Sequence, residues 1–234
     1  EGAPAGVSVS FELDGVLEPI SDDQPAALDT LECDPNTFRN YTGVEDDPEA
    51  LAIIDEYVRL GWLAEFATME ELSKYVDGAP ILSKFACITK QRADGSLKRR
   101  IIMDSKKSGV TAVTKKQYRA VLPRHTDLMQ DVLQLMSTAQ PAEEVWFMVQ
   151  DAVDAYWQML LTHRERKYYC AMLRRPGQPP TYLAYNRTPQ GSRGAPLSWT
   201  IVYGLACRMA FSTLRCPVTP DAQRMEVYVD DPIC

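Results

Sequence analysis

Two short apolar runs in this chain end in carboxylates, and no other feature narrows its fold as far. Val145-Trp146-Phe147-Met148-Val149 leads into Asp151, and Met225-Glu226-Val227-Tyr228-Val229 leads into the pair Asp230-Asp231. Both runs have the length and residue types of strands, the first of them a buried one. Carboxylates beside an apolar sheet are costly unless something positive meets them. Bringing the two ends together would gather three like charges within a few ångströms, which a bound divalent cation makes stable. No His or Cys stands near either run, so the donors are hard oxygens and Mg2+ is the natural ion. The competing local reading takes Asp230-Asp231 as a turn dipeptide and Asp151 or Asp154 as a helix N-cap.

The rest of the chain places these ends in an α+β setting. Residues 1–48 are rich in Pro and acids with little periodicity, which predicts a loosely ordered acidic arm. Residues 49–80 read as scaffold helices: Leu51, Ile54, Tyr57 and Val58 recur at helical spacing, and Thr68-Met69-Glu70-Glu71 has the form of a capping box. From residue 81 the pattern changes. Ile81 to Thr89 and Arg100 to Asp104 flank the turn signal Ala93-Asp94-Gly95-Ser96, predicting a β-hairpin with a basic tip. A helix is expected over Asp127 to Thr138, strands over Tyr168 to Leu173 and Thr181 to Tyr185, and a long apolar helix over Ser198 to Leu214. There is no βαβ rhythm, so the sheet is expected to be antiparallel and backed by helices.

Charge divides the chain. Residues 1–80 hold 19 Asp/Glu against 3 Lys/Arg, whereas residues 81–234 hold 13 against 22. Within the basic part, residues 81–124 carry 12 Lys/Arg and 2 Asp, a concentration suited to a polyanion. No apolar run reaches the roughly 18 residues of a membrane span, and the first residues lack the features of a secretory signal. An intracellular location, cytoplasmic or nuclear, without membrane contact is expected. Six scattered Cys without a Cys-x-x-Cys pair read as core thiols of a reducing compartment.

Three stretches then occur in order: Gln150-Asp151-Ala152-Val153-Asp154-Ala155-Tyr156-Trp157, Pro189-Gln190-Gly191-Ser192-Arg193-Gly194-Ala195-Pro196, and Tyr228-Val229-Asp230-Asp231. Together they resemble motifs A, B and C of the reverse transcriptases of retroviruses and retrotransposons, and Lys90 through Asp104 is similar to their fingers. The resemblance covers roughly residues 80–234 and implies a right-hand fingers and palm domain over 81–234, ending before the thumb. The activity it implies is RNA-directed DNA synthesis by nucleotidyl transfer. Its partners would be an RNA or DNA template with primer and deoxynucleoside triphosphates, with thumb and RNase H domains further along the parent chain.

The resemblance also assigns roles. Asp151, Asp230 and Asp231 would be the catalytic carboxylates holding two Mg2+ ions, or Mn2+ in their place, with the carbonyl of Ala152 assisting. Ala155 and Tyr156 would border the incoming nucleotide, the Tyr156 ring filling the volume a ribose 2′-hydroxyl needs; as a residue read alone, Tyr156 is equally a core aromatic. Gln190 and Gly191 would line the nucleotide pocket, and Pro196 would help to start the next helix. Lys90 and Arg100 would grip the triphosphate, Arg100 through its Arg-x-x-x-Asp pattern and Lys90 with Arg92 or Lys98 as substitutes. Pro232, directly after the paired aspartates, departs from the pattern and removes a backbone donor. As a portion of a retroelement polyprotein, the chain alone is expected to be weakly active. A catalytically decayed, nucleic-acid-binding remnant is the alternative, followed by an RNA-templated RNA polymerase palm and a metal-dependent phosphohydrolase.

Overall fold

The computed structural model describes residues 2–12, 15, 17–21, 24–31, 38–115, 117–214, 223–228 and 231–233, with the backbone alone at 30, 214 and 231–233. In chain order, β1 (Glu18–Pro19) precedes helix α1 (Pro48–Arg59), β2 (Leu63–Phe66) and α2 (Met69–Tyr75). The hairpin strands β3 (Lys84–Gln91) and β4 (Leu97–Asp104) follow, then the single turn α3 (Val110–Val113), β5 (Tyr118–Arg119) and α4 (His125–Thr138). After a gap without regular strands come β6 (Cys170–Leu173), β7 (Thr181–Tyr185), α5 (Ala195–Leu214), β8 (Glu226–Tyr228) and β9 (Asp231–Ile233). Every ladder among the described residues is antiparallel, so the molecule is α+β. No helix among them is long and apolar enough to cross a membrane.

The chain forms two compact units. The first comprises residues 1–12, 20–117 and 156–195. Its three-stranded sheet has the order β2-β7-β6, with Leu63 paired to Tyr185 and Cys170 to Ala184. Helix α1 starts where Asp47 accepts a hydrogen bond from the Glu49 N–H and Pro48 takes the first helical position. It buries Ala50 and Ile54. Helix α2 starts at the expected capping box, Thr68 and Glu71 each satisfying the other's backbone N–H.

Aromatic rings fill the centre of this unit. Trp157 stacks between Trp62, 5.0 Å away, and Tyr185, 5.4 Å away, with Tyr57 tilted against it at 4.6 Å. The segment expected to be a loose arm supplies Ala5, Val7, Phe11 and Val44 to buried positions. Local composition is polar there, but partners distant in sequence supply the burial that the segment cannot supply for itself.

The second unit comprises residues 13–19, 118–155 and 196–234. It contains the pair β1-β5, helix α4, most of α5 and the hairpin β8-β9. Here one expectation fails. Val145 to Met148 form no ladder among the described residues, and apart from the half-buried Val145 they are exposed, Trp146 to 80%; Val149 alone makes an isolated β-bridge. An apolar run becomes a strand only beside a neighbour that takes its N–H and C=O groups, and no described strand pairs with residues 145–148.

The aromatic stack makes Trp157 the residue on which the first unit's core most depends. Trp157→Ala is expected to lower unfolding free energy by about 3–5 kcal/mol, read as a shifted urea midpoint.

Candidate active site

The basic hairpin sorts its charges by face. Residues directly opposite in the β3-β4 ladder share a side, and successive residues alternate. Ile88 faces Arg100 and Lys90 faces Lys98, so these four side chains lie on one face. Phe85, Cys87, Ile101, Met103 and Arg99 lie on the other, where Phe85, Ile101 and Met103 enter the core.

Arg99, on the inner face, is consumed. Its Nε donates to Asp47 at 2.8 Å and its Nη1 to Glu49, so it ties the hairpin to the first turn of α1. Asp47 is held below the usual carboxylate range, first by the Glu49 N–H and also by Arg99. On the outer face Lys90, Lys98 and Arg100 are exposed and enter no ion pair among the described residues. Like charges directly opposite in a ladder repel. The Lys90–Lys98 pair therefore favours an anion between or above its ammonium groups.

Asp104, which ends the Arg-x-x-x-Asp stretch, turns to the base of the hairpin. Its Oδ2 accepts from the Tyr41 hydroxyl at 2.6 Å and its Oδ1 from the Lys107 N–H at 2.9 Å. Partial burial pushes its pKa up, but these bonds prevail and hold it below the usual range. The same contact raises the Tyr41 hydroxyl.

The loop Pro189–Gly194 sits against the end of β4. The Gln190 carbonyl accepts from the Met103 N–H at 3.2 Å, and the Ser105 hydroxyl donates to the Gly191 carbonyl at 3.0 Å. Gly191 has φ +102°, and any Cβ there would collide with the Met103 carbonyl. Glycine is thus required twice over, for conformation and for approach. Arg100 lies three residues from Met103 on β4, roughly 10 Å along the strand. The structure thereby brings Lys90, Arg100, Gln190 and Gly191 into one unit. Helix α5 starts at Ala195, with Pro196 in its first turn as expected and the Ser192 hydroxyl accepting from the Ala195 N–H at 3.2 Å.

Asp151 belongs to the second unit and is exposed, and its carboxylate takes no hydrogen bond or ion pair among the described residues. It caps no helix. Ala152 is half-buried, and Asp154 adopts φ +53° just before the 3-10 turn Ala155–Gln158, a conformation Asp tolerates better than most residues. Within that turn Ala155 is buried, Tyr156 half-buried and Trp157 locked in the core.

Asp230 lies outside the described residues, and Asp231 is described by its backbone, opposite Tyr228 at the start of β9. Among the described residues no group of three or more His, Cys, Asp or Glu side chains gathers, a set that excludes two of the three carboxylates singled out above. Pro232 stands opposite Val227 without interrupting the ladder. With two residues between the strands, Tyr228 and Asp231 fall in the hydrogen-bonded class of pairs, and Val227 and Pro232 in the class that exchanges no N–H. The missing donor costs this pair nothing.

Two contributors escaped the sequence. The inward role of Arg99 was readable from its alternation with Lys98 and Arg100. Glu165, inside the charged run His163-Arg164-Glu165-Arg166-Lys167, reads as solvated surface yet has no exposure at all. In comparison with known proteins, the chain matches no family model, and no curated protein matches it.

The two faces of the hairpin predict opposite phenotypes. Arg99→Ala should lower the thermal midpoint while leaving polyanion binding nearly intact; Arg100→Ala should leave the midpoint unchanged and weaken heparin or nucleic-acid binding. Asp47 and Asp104 both have depressed folded-state pKa values, so their stabilisation is complete above the unfolded value of about 4 and fades as pH falls through the folded one. Midpoints measured from pH 6 down to pH 2 should drop below about pH 4, and an Asp47→Asn/Asp104→Asn variant should flatten that drop.

Proposed function

We propose that this chain is the fingers and palm portion of a reverse transcriptase from a retroelement polyprotein, joining deoxynucleoside triphosphates to a primer paired with an RNA or DNA template. The observation that carries the reading is the outer face of the hairpin, where Lys90, Lys98 and Arg100 stay open while Arg99 beside them is neutralised. Structural need accounts for Arg99. It does not account for a facing pair of lysines, which a triphosphate would offset. The ordered motifs around Asp151, Gln190 and Asp230 add independent support.

In the proposed reaction the primer 3′-hydroxyl attacks the α-phosphorus of the nucleotide. A new P–O bond forms to the primer, the bond to the β-phosphate breaks, and pyrophosphate carries away the negative charge. Lys90 and Arg100 would hold the β- and γ-phosphates and neutralise that charge as it develops. Asp151, Asp230 and Asp231, with the Ala152 carbonyl, would hold two Mg2+ ions, which supply activation of the hydroxyl and steadying of the leaving group. Asp151 fits this donor set: it is a hard-oxygen carboxylate with no cationic side chain engaging it among the described residues. Gln190 and Gly191 would border the base and sugar, and Tyr156 would exclude a 2′-hydroxyl.

The test is primer extension on an RNA template by the full natural chain. Asp230→Asn should reduce incorporation by about a thousandfold with circular dichroism unchanged, and undiminished incorporation would defeat the metal assignment. Tyr156→Ala should raise ribonucleotide use relative to deoxynucleotide in steady-state kinetics. Binding to template–primer should weaken steeply with salt, and Lys98→Ala should reduce the logarithmic salt slope by about 1. Salt-sensitive binding without any extension by the unaltered chain would point to a decayed remnant instead.

A further inference from the structure

The amino-terminal segment is fastened along its length to the first unit. Ala3 bridges Leu161 in parallel, its N–H donating to the Leu160 carbonyl at 2.6 Å and its carbonyl accepting from the Thr162 N–H at 3.0 Å. The Gly6 carbonyl accepts from the Lys115 N–H at 2.8 Å. The next three residues converge on one carboxylate. Glu165 Oε2 accepts from the Val7 N–H at 3.2 Å, and Oε1 accepts from the Ser8 N–H at 2.6 Å, the Ser8 hydroxyl at 3.1 Å and the Val9 N–H at 2.6 Å. A carboxylate without exposure survives on such donors alone.

The segment so held presses on the loop Pro189–Gly194. Ala5, fully buried, lies so close to Gly194 that a Cβ at 194 would overlap the Ala5 carbonyl. On the loop's other side, Gly191 abuts Met103. Arg193 donates to the Thr114 carbonyl at 3.0 Å, next to the Lys115 that bonds Gly6. The Tyr169 hydroxyl, buried in the same interior, has no hydrogen-bond partner among the described residues, and burial together with the Glu165 charge pushes its pKa up.

Resting on the polymerase reading, we infer that Glu165 is a positioning residue for nucleotide binding: it straps residues 5–9 against Gly194 and so sets the loop that carries Gln190 and Gly191. It touches no substrate. Its effect reaches the nucleotide through the loop, and it belongs to substrate affinity more than to the chemical step.

The experiment uses the full natural chain and two readouts. In steady-state primer extension, Glu165→Ala should raise KM for the deoxynucleotide about tenfold and leave kcat within about twofold. Glu165→Gln keeps an acceptor for the three donors at Oε1 and should return most of the affinity. Gly194→Ala reaches the same contact from the opposite side and should reproduce the Ala phenotype. Hydrogen exchange of the amides at 190–194 should speed up about tenfold in Glu165→Ala and Gly194→Ala, with other loops unaffected.

Unchanged KM and unchanged exchange in either Ala variant would overturn the inference, as would a loss confined to kcat. If Glu165→Ala fails to fold, Gly194→Ala decides by the same measures. If the unaltered chain extends no primer, the polymerase reading fails by itself. Exchange at 190–194 then still decides whether the strap sets the loop.

Discussion

A carboxylate with no access to water must be met by donors or the fold around it fails, and Glu165 meets this constraint with the backbone of residues 7–9. The buried Val7 N–H left without its acceptor would cost about 1–3 kcal/mol, and Ser8 and Val9 add part-buried bonds, so the side chain and the segment hold each other in place. The dependence extends outward. With Val7 to Val9 fixed, Ala5 can lie under Gly194, Gly6 can bond Lys115, and Phe11 can bury its ring. A stretch whose composition suggests an unstructured tail becomes part of the core of the unit that carries the basic hairpin.

The uneven charge of the chain has a structural use within that unit. Asp47 and Glu49 take Arg99, Asp55 and Glu65 take Arg175, and Glu45 lies beside Arg174. The acidic early residues thus neutralise the inward cations of the later, basic part. What remains open is the outer row of the hairpin, Lys90, Lys98 and Arg100, while Lys84 farther down the same face is half-buried with its ammonium over the Tyr41 ring. The division seen along the chain becomes a division between the two sides of one β-hairpin, and net charge alone conceals it.

Legibility followed the range of the forces involved. The start of α1 at Asp47-Pro48, the capping box of Thr68 and Glu71, and the hairpin turn around Asp94-Gly95 depend on neighbours within a few residues, and each was readable. The helix over 125–138, the strand pair β6-β7 and helix α5 were readable by periodicity for the same reason. Glu165 was not, since its donors lie up to 158 residues away and its flanking charges mimic a solvated run. Val145 to Met148 misled because apolar β-branched and aromatic residues signal willingness to pair and say nothing of a partner. Of the candidate site, Gly191 was legible only through the resemblance of its motif, and the basic residues of the hairpin through the turn signal between its arms; Asp230 lies outside the described residues.

The proline that follows the paired aspartates has one more effect. Its ring nitrogen, carrying no hydrogen, stands at a position whose donor would otherwise point away from β8. A strand from another chain that tried to extend this two-stranded ribbon along β9 would find a gap in the row of donors it needs. Pro232 in this way leaves the outer edge of β9 an incomplete template for a further strand.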